Sequence, residues 1–164
     1  MRQMQTVNSL KLRISRQLLR PSMTSQKVHS VALESTEPST SSLLVQYVVL
    51  RKDLWAEQVW PLGSVVAQAC HASLAAMWLY KDDESTLAYC APNNIDNMHK
   101  VVLEVKGEVQ LSNLSTKLLE AGVKHKLWIE QPEGFPTCLA TKPYPKDEIA
   151  SHFKKLNLCK AALT

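Results

Sequence analysis

The stretch Gly63-Ser64-Val65-Val66-Ala67-Gln68-Ala69-Cys70-His71-Ala72 decides how the rest of this chain is arranged. It begins a segment that predicts an α-helix running to about Tyr80, and no charged residue occurs from Gly63 to Tyr80. A helix on the surface of a globular protein normally carries charge on its solvent-facing side. The absence of charge therefore predicts a helix that is buried on most of its faces.

Three polar side chains form a single line along this apolar helix. At about 100° per residue, Ser64, Gln68 and His71 fall within about 60° of one another. A hydroxyl, an amide and an imidazole aligned on a buried helix indicate a functional site. A lone histidine on an apolar helix is more often a core residue with satisfied hydrogen bonds, so a structural interpretation of His71 also stays open.

Apolar segments on either side of this helix predict an α/β fold. Runs of strand length occupy residues 44–50, 100–106, 124–130 and 137–141. Helical patterns cover residues 108–121 and the segment after Pro145, with a shorter one near residues 85–90. Connections of the β-α-β kind give parallel strand pairs, whereas the short loop between the last two strands permits an antiparallel hairpin. We therefore expect a three-layer sandwich in which helices flank a four-stranded mixed β-sheet.

The first 43 residues differ in composition from the rest of the 164-residue chain. Six Lys and Arg residues and two acidic residues lie in residues 1–43, and the first acid is Glu34. Basic residues that alternate with Leu and Ile are typical of a mitochondrial transit peptide, but a disordered leader of a cytoplasmic protein has the same composition. Both interpretations, and both locations, stay open. We expect residues 1–43 to form a leader and polar linker, and residues 44–164 to form one domain.

The composition of the expected domain excludes several classes of protein. Residues 44–164 hold thirteen basic and thirteen acidic residues, so they lack the basic excess that usually accompanies non-specific nucleic-acid binding. No uncharged apolar run reaches 18 residues, so no membrane span is expected. The four cysteines follow no zinc-ligand spacing, which predicts free thiols and no metal site. The sequence leaves open whether two copies form a homodimer.

Three further polar residues are expected near the polar line of the central helix. Glu130 ends a predicted strand, Thr137 begins the next one, and Asp53 follows the first strand. Strand ends beside a crossover helix are where α/β folds place their sites. Each residue also has a structural alternative: a solvated carboxylate for Glu130, β-propensity for Thr137 and a loop cap for Asp53.

The sequence neighbours Cys70 and His71 raise the hypothesis of a thiol nucleophile. Adjacent residues on a helix project about 100° apart and do not face each other, so a Cys–His dyad is disfavoured. A structural thiol is the simpler interpretation of Cys70. No phosphate-binding loop, nucleophile elbow or dinucleotide fingerprint occurs in the chain. The residues alone therefore predict an α/β domain with a small polar site on this helix and the adjoining strand ends.

The sequence resembles the type-2 peptidyl-tRNA hydrolase family over residues 44–160. Tyr47-Val-Val-Leu-Arg-Lys-Asp-Leu54 is similar to the first strand of that family, and residues 63–72 resemble its glycine-led helix with a Gln-x-x-His motif. Shorter matches resemble the later strands of the family and one of its branches: Lys100-Val-Val-Leu103, Pro136-Thr-Cys-Leu-Ala140, Trp128-Ile-Glu-Gln-Pro-Glu133 and Pro143-Tyr-Pro-Lys146.

This resemblance implies hydrolysis of the ester that joins a stalled peptide to the 3′ ribose of tRNA, without a cofactor or metal ion. Such hydrolysis needs an activated water, stabilisation of the oxyanion and positioning of the acyl group. Gln68, His71 and Asp53 stand at positions that match the family pattern. Glu130 stands where the family has an aspartate, and Thr137 matches the threonine of the last strand. The resemblance suggests His71 and Glu130 as acid, base or water-orienting groups, with Gln68 and Thr137 as positioning groups.

Two features depart from the family pattern. Ser64 stands where the family has a catalytic lysine, and the loop before Thr137 is shortened to residues 131–136. At the start of the helix, Gly63 and Ser64 are expected to offer backbone N–H groups to an anion of the substrate. Losing a cation that stabilises developing charge commonly costs on the order of 10²–10³ in rate. The alternative hypothesis is therefore a weakened or inactive relative that binds tRNA or a protein partner through the same cleft.

Overall fold

The computed structural model describes residues 42–160, so the predicted leader and its transit-peptide interpretation lie outside the described residues. The elements in chain order are β1 (Leu44–Arg51), α1 (Asp53–Ala56), α2 (Leu62–Leu79), α3 (Glu84–Tyr89), β2 (His99–Val105), α4 (Glu108–Glu120), β3 (His125–Ile129), β4 (Pro136–Thr141), β5 (Tyr144–Pro145), α5 (Lys146–Ile149) and β6 (Asn157–Leu158). Short 3₁₀ turns lie at Ile95–Asn97 and Ala150–Phe153.

The strands form one mixed sheet in the order β3-β4-β1-β2-β6, and β5 pairs with the start of β1. The neighbours β1 and β2 are parallel, whereas β4 is antiparallel to both β1 and β3. The predicted α/β fold is confirmed, as are the parallel crossover between β1 and β2 and the antiparallel hairpin of β3 and β4. The expected number of four strands is corrected to six within residues 42–160. The two additional strands, β5 and β6, have two residues each and are too short to show a period-2 pattern.

The central strand β1 is buried on both faces because helices cover both sides of the sheet. Val45, Tyr47 and Val49 pack in one core cluster with residues of α4. Val48 and Leu50 pack in a second cluster with residues of α2. Alternate residues of a strand point to opposite faces, so β1 joins the two cores of a three-layer sandwich.

Helix α2 contacts the sheet through a narrow stripe. Its buried residues are Val65, Gln68, Ala72 and Ala76, which recur at intervals of three or four residues. The outer side of the helix is exposed, with Trp78 at 70% accessibility. The prediction that this helix is buried on most of its faces is therefore wrong, because an uncharged surface need not be a covered one.

Within the described part of the chain, α2 is the one helix long and apolar enough to cross a membrane. Its buried stripe packs against β1, β3 and β4, as expected for a core helix of this fold. The predicted last helix is also shorter than expected: α5 has one turn and continues as a 3₁₀ turn to Phe153. The Phe153 ring stacks on Tyr47, with 4.3 Å between ring centroids, and so ends the segment against the core.

Candidate active site

The candidate site lies where α2 crosses β3 and β4. The Thr137 hydroxyl, at the start of β4, donates a hydrogen bond of 2.6 Å to Gln68 Oε1. Gln68 is 2% exposed and Thr137 is fully buried. A buried amide or hydroxyl without a hydrogen-bond partner would destabilise the fold by about 1–3 kcal/mol. The bond between Thr137 and Gln68 avoids this cost for the Thr137 hydroxyl and for Gln68 Oε1.

The Gln68 amide nitrogen forms no hydrogen bond with any described residue. The contact with Thr137 occupies the carbonyl oxygen and fixes the plane of the amide. The nitrogen therefore remains available to donate to a substrate oxygen.

His71 lies one helical turn from Gln68 and stacks on the indole of Trp128 in β3. The two ring centroids are 4.7 Å apart and the ring planes differ by 16°. Trp128 is half-buried, whereas His71 is exposed. The stacking holds one face of the imidazole against the sheet and leaves the histidine accessible to a ligand.

The same indole contacts the candidate carboxylate. Trp128 Nε1 donates a hydrogen bond of 2.7 Å to Glu130 Oε2. No described residue donates a hydrogen bond to Glu130 Oε1, which can therefore accept a hydrogen bond from water. His71 and Glu130 are thus both held by Trp128, one through the ring face and the other through the ring N–H.

The short loop after β3 fixes the backbone of Glu130. Its N–H donates to the Phe135 carbonyl at 3.0 Å, and the Gly134 N–H donates to the Glu130 carbonyl at 2.8 Å. Gly134 has a φ of +74°, a conformation that glycine adopts without steric cost. The peptide bond between Gln131 and Pro132 is cis. The two backbone hydrogen bonds close the shortened loop on itself and hold Glu130 at the edge of the site.

Asp53 contacts Arg51 rather than the residues on α2. Its Oδ2 lies 2.6 Å from Arg51 Nη2, and Arg51 Nη1 lies 3.0 Å from Glu108 Oε2. The hydrogen bond with Asp53 is the main cause that raises the pKa of Arg51. Arg51 Nη1 also donates 2.8 Å to the carbonyl of Pro136, the residue before Thr137. The structure thus connects Asp53 to the site through Arg51 and the backbone of β4.

Gly63 and Ser64 lie in the first turn of α2, away from these hydrogen bonds. The Ser64 N–H donates to the Pro61 carbonyl at 2.9 Å, and the Ser64 side chain forms no hydrogen bond within residues 42–160. A Cβ atom added at Gly63 would meet nothing within 4 Å. The structure bonds Gln68 to Thr137 and places His71 and Glu130 each against Trp128. No hydrogen bond connects the Ser64 side chain to these residues within residues 42–160.

Cys70 lies on a different side of α2 from His71. It lines a groove toward β2 together with Cys159, on the other flank of the helix from the polar line. Among the described residues, no group of three or more His, Cys, Asp or Glu side chains could hold a metal ion.

Sequence reasoning missed the roles of Trp128 and Arg51. Tryptophan is usually a packing residue, so its presence in a predicted strand does not by itself indicate a role in a site. A signal was present, because Trp128 and Glu130 are two residues apart near the end of one strand and residues at this spacing share a face. Arg51 and Asp53 are also two residues apart. The ion pair between Arg51 and Glu108 depends on where α4 begins, so no local sequence pattern predicts it.

The fold and the site define a three-layer α/β protein whose crossover helix α2 carries a Gln-x-x-His polar site over the strands β3 and β4. The family model described as "Peptidyl-tRNA hydrolase PTH2" matches residues 44–159. The chain therefore belongs to the type-2 peptidyl-tRNA hydrolase family.

Individual relatives agree with this assignment. The chain is 45% identical over 134 residues to the Mus musculus and Homo sapiens proteins named "Putative peptidyl-tRNA hydrolase PTRHD1", a match that covers 81% of this chain and 92% of each relative. It is 32% identical over 124 residues to the Dictyostelium discoideum protein named "Probable peptidyl-tRNA hydrolase 2", covering 69% of this chain and 53% of that protein. The resemblance to the branch called peptidyl-tRNA hydrolase domain-containing protein 1 is confirmed.

Proposed function

We propose that this protein hydrolyses the ester between a peptide and the 3′ ribose of tRNA, using Glu130 and His71 as its acid–base groups. The observation that carries the proposal is the double contact of Trp128, which stacks on His71 and donates 2.7 Å to Glu130. A carboxylate with one oxygen held and one oxygen free is suited to orient a water molecule.

In the proposed reaction, Glu130 Oε1 accepts a proton from water as the water oxygen attacks the ester carbonyl carbon. The bond between that carbon and the 3′ oxygen then breaks, and the peptide leaves with a carboxyl group. The proton that Glu130 accepted passes to the leaving 3′ oxygen, and we assign the relay of that proton to the exposed His71. All atoms are supplied by water and substrate, so the reaction needs no co-reactant.

Gln68 and Thr137 have the positioning role in this mechanism. The Gln68 amide N–H groups donate to the carbonyl oxygen, which becomes negatively charged in the transition state. The Thr137 hydroxyl holds the amide plane through the 2.6 Å bond to Gln68 Oε1. A donor whose orientation is fixed before the reaction stabilises the oxyanion more than one that must reorient.

Asp53 is assigned a positioning role rather than a catalytic one. Its carboxylate holds Arg51, and Arg51 in turn holds the Pro136 carbonyl at 2.8 Å. Because Arg51 is engaged by Asp53 and Glu108, its charge does not replace the family lysine. The backbone N–H of Gly63, in the first turn of α2, is the proposed contact for an anionic part of the substrate, since the Ser64 N–H already donates to the Pro61 carbonyl. We therefore expect hydrolysis roughly 10²–10³ slower than in lysine-bearing relatives.

The test is release of free tRNA from an N-blocked aminoacyl-tRNA by the purified full chain. Wild type is compared with Glu130→Gln and His71→Ala, and with Glu133→Gln as a matched control on the same loop. Release that both site variants lose and the control keeps supports the proposal. Tight tRNA binding without release, equal in all four proteins, supports a non-catalytic relative instead, and absence of both binding and release refutes action on tRNA.

We further propose that two copies of the chain associate through the exposed apolar residues at the end of α2 and on α3. Leu74, Trp78 and Leu87 are 69%, 70% and 60% exposed, and exposed apolar patches commonly mark interaction sites. Light scattering measures the mass of wild type and Trp78→Glu. A dimer in wild type that becomes a monomer in the variant supports the proposal, and a monomeric wild type refutes it.

A further inference from the structure

A second groove of about 350 Å³ lies between α2 and the strands β1 and β2. It is on the other flank of α2 from the Gln68 and His71 site. Apolar side chains and two thiols form most of its walls, among them Leu62, Val66, Ala69, Cys70, Val102 and Cys159. Val66 is 51% exposed and Val102 is 37% exposed, so part of this apolar surface faces solvent.

The polar part of the groove is formed by Lys100 and Ser73. Lys100 Nζ donates 2.5 Å to Gln46 Oε1, and the Ser73 hydroxyl donates 2.7 Å to the same oxygen. Gln46 cannot turn away, because its Nε2 donates to the carbonyls of Ser73 and Thr141 at 3.2 and 2.9 Å. The Lys100 ammonium therefore has a neutral amide oxygen and the face of Tyr89, at 5.3 Å, as its contacts.

Within residues 42–160, Lys100 forms no ion pair, although several other lysines do. Lys142 and Lys124 both lie close to Asp83, at 2.8 and 3.1 Å, whereas no Asp or Glu among residues 42–160 forms an ion pair with Lys100. Burial lowers the pKa of Lys100, and the nearby thiols of Cys90 and Cys70 oppose that shift. Lys100 is exposed at the edge of the groove, and an ammonium without a counter-ion beside an apolar surface is suited to pair with an anionic ligand.

We propose that this groove binds a straight-chain aliphatic carboxylate of medium length. The alkyl chain lies against the apolar walls between α2 and the sheet, where burial of each CH₂ group is favourable. The carboxylate contacts Lys100 Nζ, which has donor hydrogens beyond the one it gives to Gln46, whereas the Ser73 hydroxyl stays bonded to Gln46 Oε1. The site is separate from the ester-hydrolysis site, so this proposal does not depend on the proposed function.

The experiment measures binding of decanoate to the full chain by calorimetry, below the micelle concentration, with decanol as the uncharged comparison. Wild type should bind decanoate saturably and more tightly than decanol. Lys100→Met, which keeps the aliphatic stem, should bind decanoate on the order of tenfold more weakly and leave decanol binding unchanged. Lys154→Met, an exposed lysine outside the groove, is the matched control and should behave as wild type.

A second variant tests the apolar wall. Val66→Asp places a carboxylate at an exposed position of the groove, where it should weaken decanoate binding more than decanol binding. Backbone amide shifts on adding decanoate should be largest at residues of the groove and absent at Glu130, which follows β3 and does not line the groove. The proposal is overturned by absence of saturable binding, by equal affinity of wild type and Lys100→Met, or by shifts confined to another surface.

Discussion

Replacing Trp128 by phenylalanine separates the two contacts of the indole. Phenylalanine keeps a ring face for His71, which lies 4.7 Å from the indole in the structure, but it cannot donate to Glu130 Oε2. A hydrogen bond to a charged group contributes about 1.5–3 kcal/mol, and the half-buried Glu130 favours the lower limit. We therefore expect Trp128→Phe to lower kcat roughly tenfold.

The loss should appear in kcat with little change in KM, because Glu130 acts on water in the transition state rather than on bound tRNA. The assay is tRNA release from N-blocked aminoacyl-tRNA over a range of substrate concentrations. Trp78→Phe, at an exposed tryptophan on the outer side of α2, is the matched control and should leave both constants unchanged.

A double variant shows whether Trp128 acts through Glu130. In the Glu130→Ala background, the further change Trp128→Phe should lower kcat less than twofold, because the partner of the N–H is already absent. Equal effects in both backgrounds would refute the positioning role, as would a wild-type kcat in Trp128→Phe. Thermal unfolding of each variant distinguishes loss of activity from loss of the fold.

Four further predictions concern other residues of the site and the fold. Thr137→Val should destabilise the fold by about 1–3 kcal/mol because it leaves Gln68 Oε1 buried without a donor, whereas Thr137→Ser should be close to wild type in urea unfolding. Ser64→Lys should raise the rate of ester hydrolysis by on the order of 10², measured with the same substrate, and no increase would contradict the assignment of that position. For Asp83, burial raises the pKa but hydrogen bonds from Lys142 and Lys124 outweigh it, so the pKa is lowered from 3.8. Its stabilising contribution is therefore present above that value and lost as pH falls through the folded-state pKa. Asp83→Asn should cost about 3 kcal/mol at pH 7 and progressively less as pH falls below 3.8 in denaturant titrations, and a pH-independent cost would contradict the ion pair. Val59 is an exposed β-branched residue with a φ of 55°, so Val59→Gly should relieve about 1 kcal/mol of backbone strain and raise the melting temperature, and a lower value would contradict it.

The periodicity of the sequence was sufficient to predict the layers of the fold. Strand β1 is a nearly continuous apolar run, interrupted by Gln46, because both of its faces are covered. Helix α4 shows an apolar stripe because only one of its faces is covered. The strands β5 and β6 could not be predicted, since a two-residue strand depends on its partner rather than on its own pattern. The exposed outer side of α2 could not be predicted either. The sequence shows that this side of the helix is uncharged, but not whether another part of the protein covers it.

The candidate site was predicted in part. Helical geometry placed Gln68 and His71 one turn apart, and the start of β4 brought Thr137 to Gln68. The sequence could not show that Asp53 pairs with Arg51, because that contact depends on the side-chain conformations after β1. It also gave no reason to join His71 to Glu130, whose common neighbour Trp128 resembles an ordinary core residue in the sequence.

The central claim is that Glu130 activates water for hydrolysis of the ester. Its most direct test is a single-turnover measurement of tRNA release with enzyme in excess over N-blocked aminoacyl-tRNA, comparing wild type with Glu130→Gln. We predict release by wild type and a rate at least 10² lower in the variant, with tRNA affinity unchanged. Equal rates in the two proteins, or no release by wild type above the uncatalysed rate, would contradict the claim.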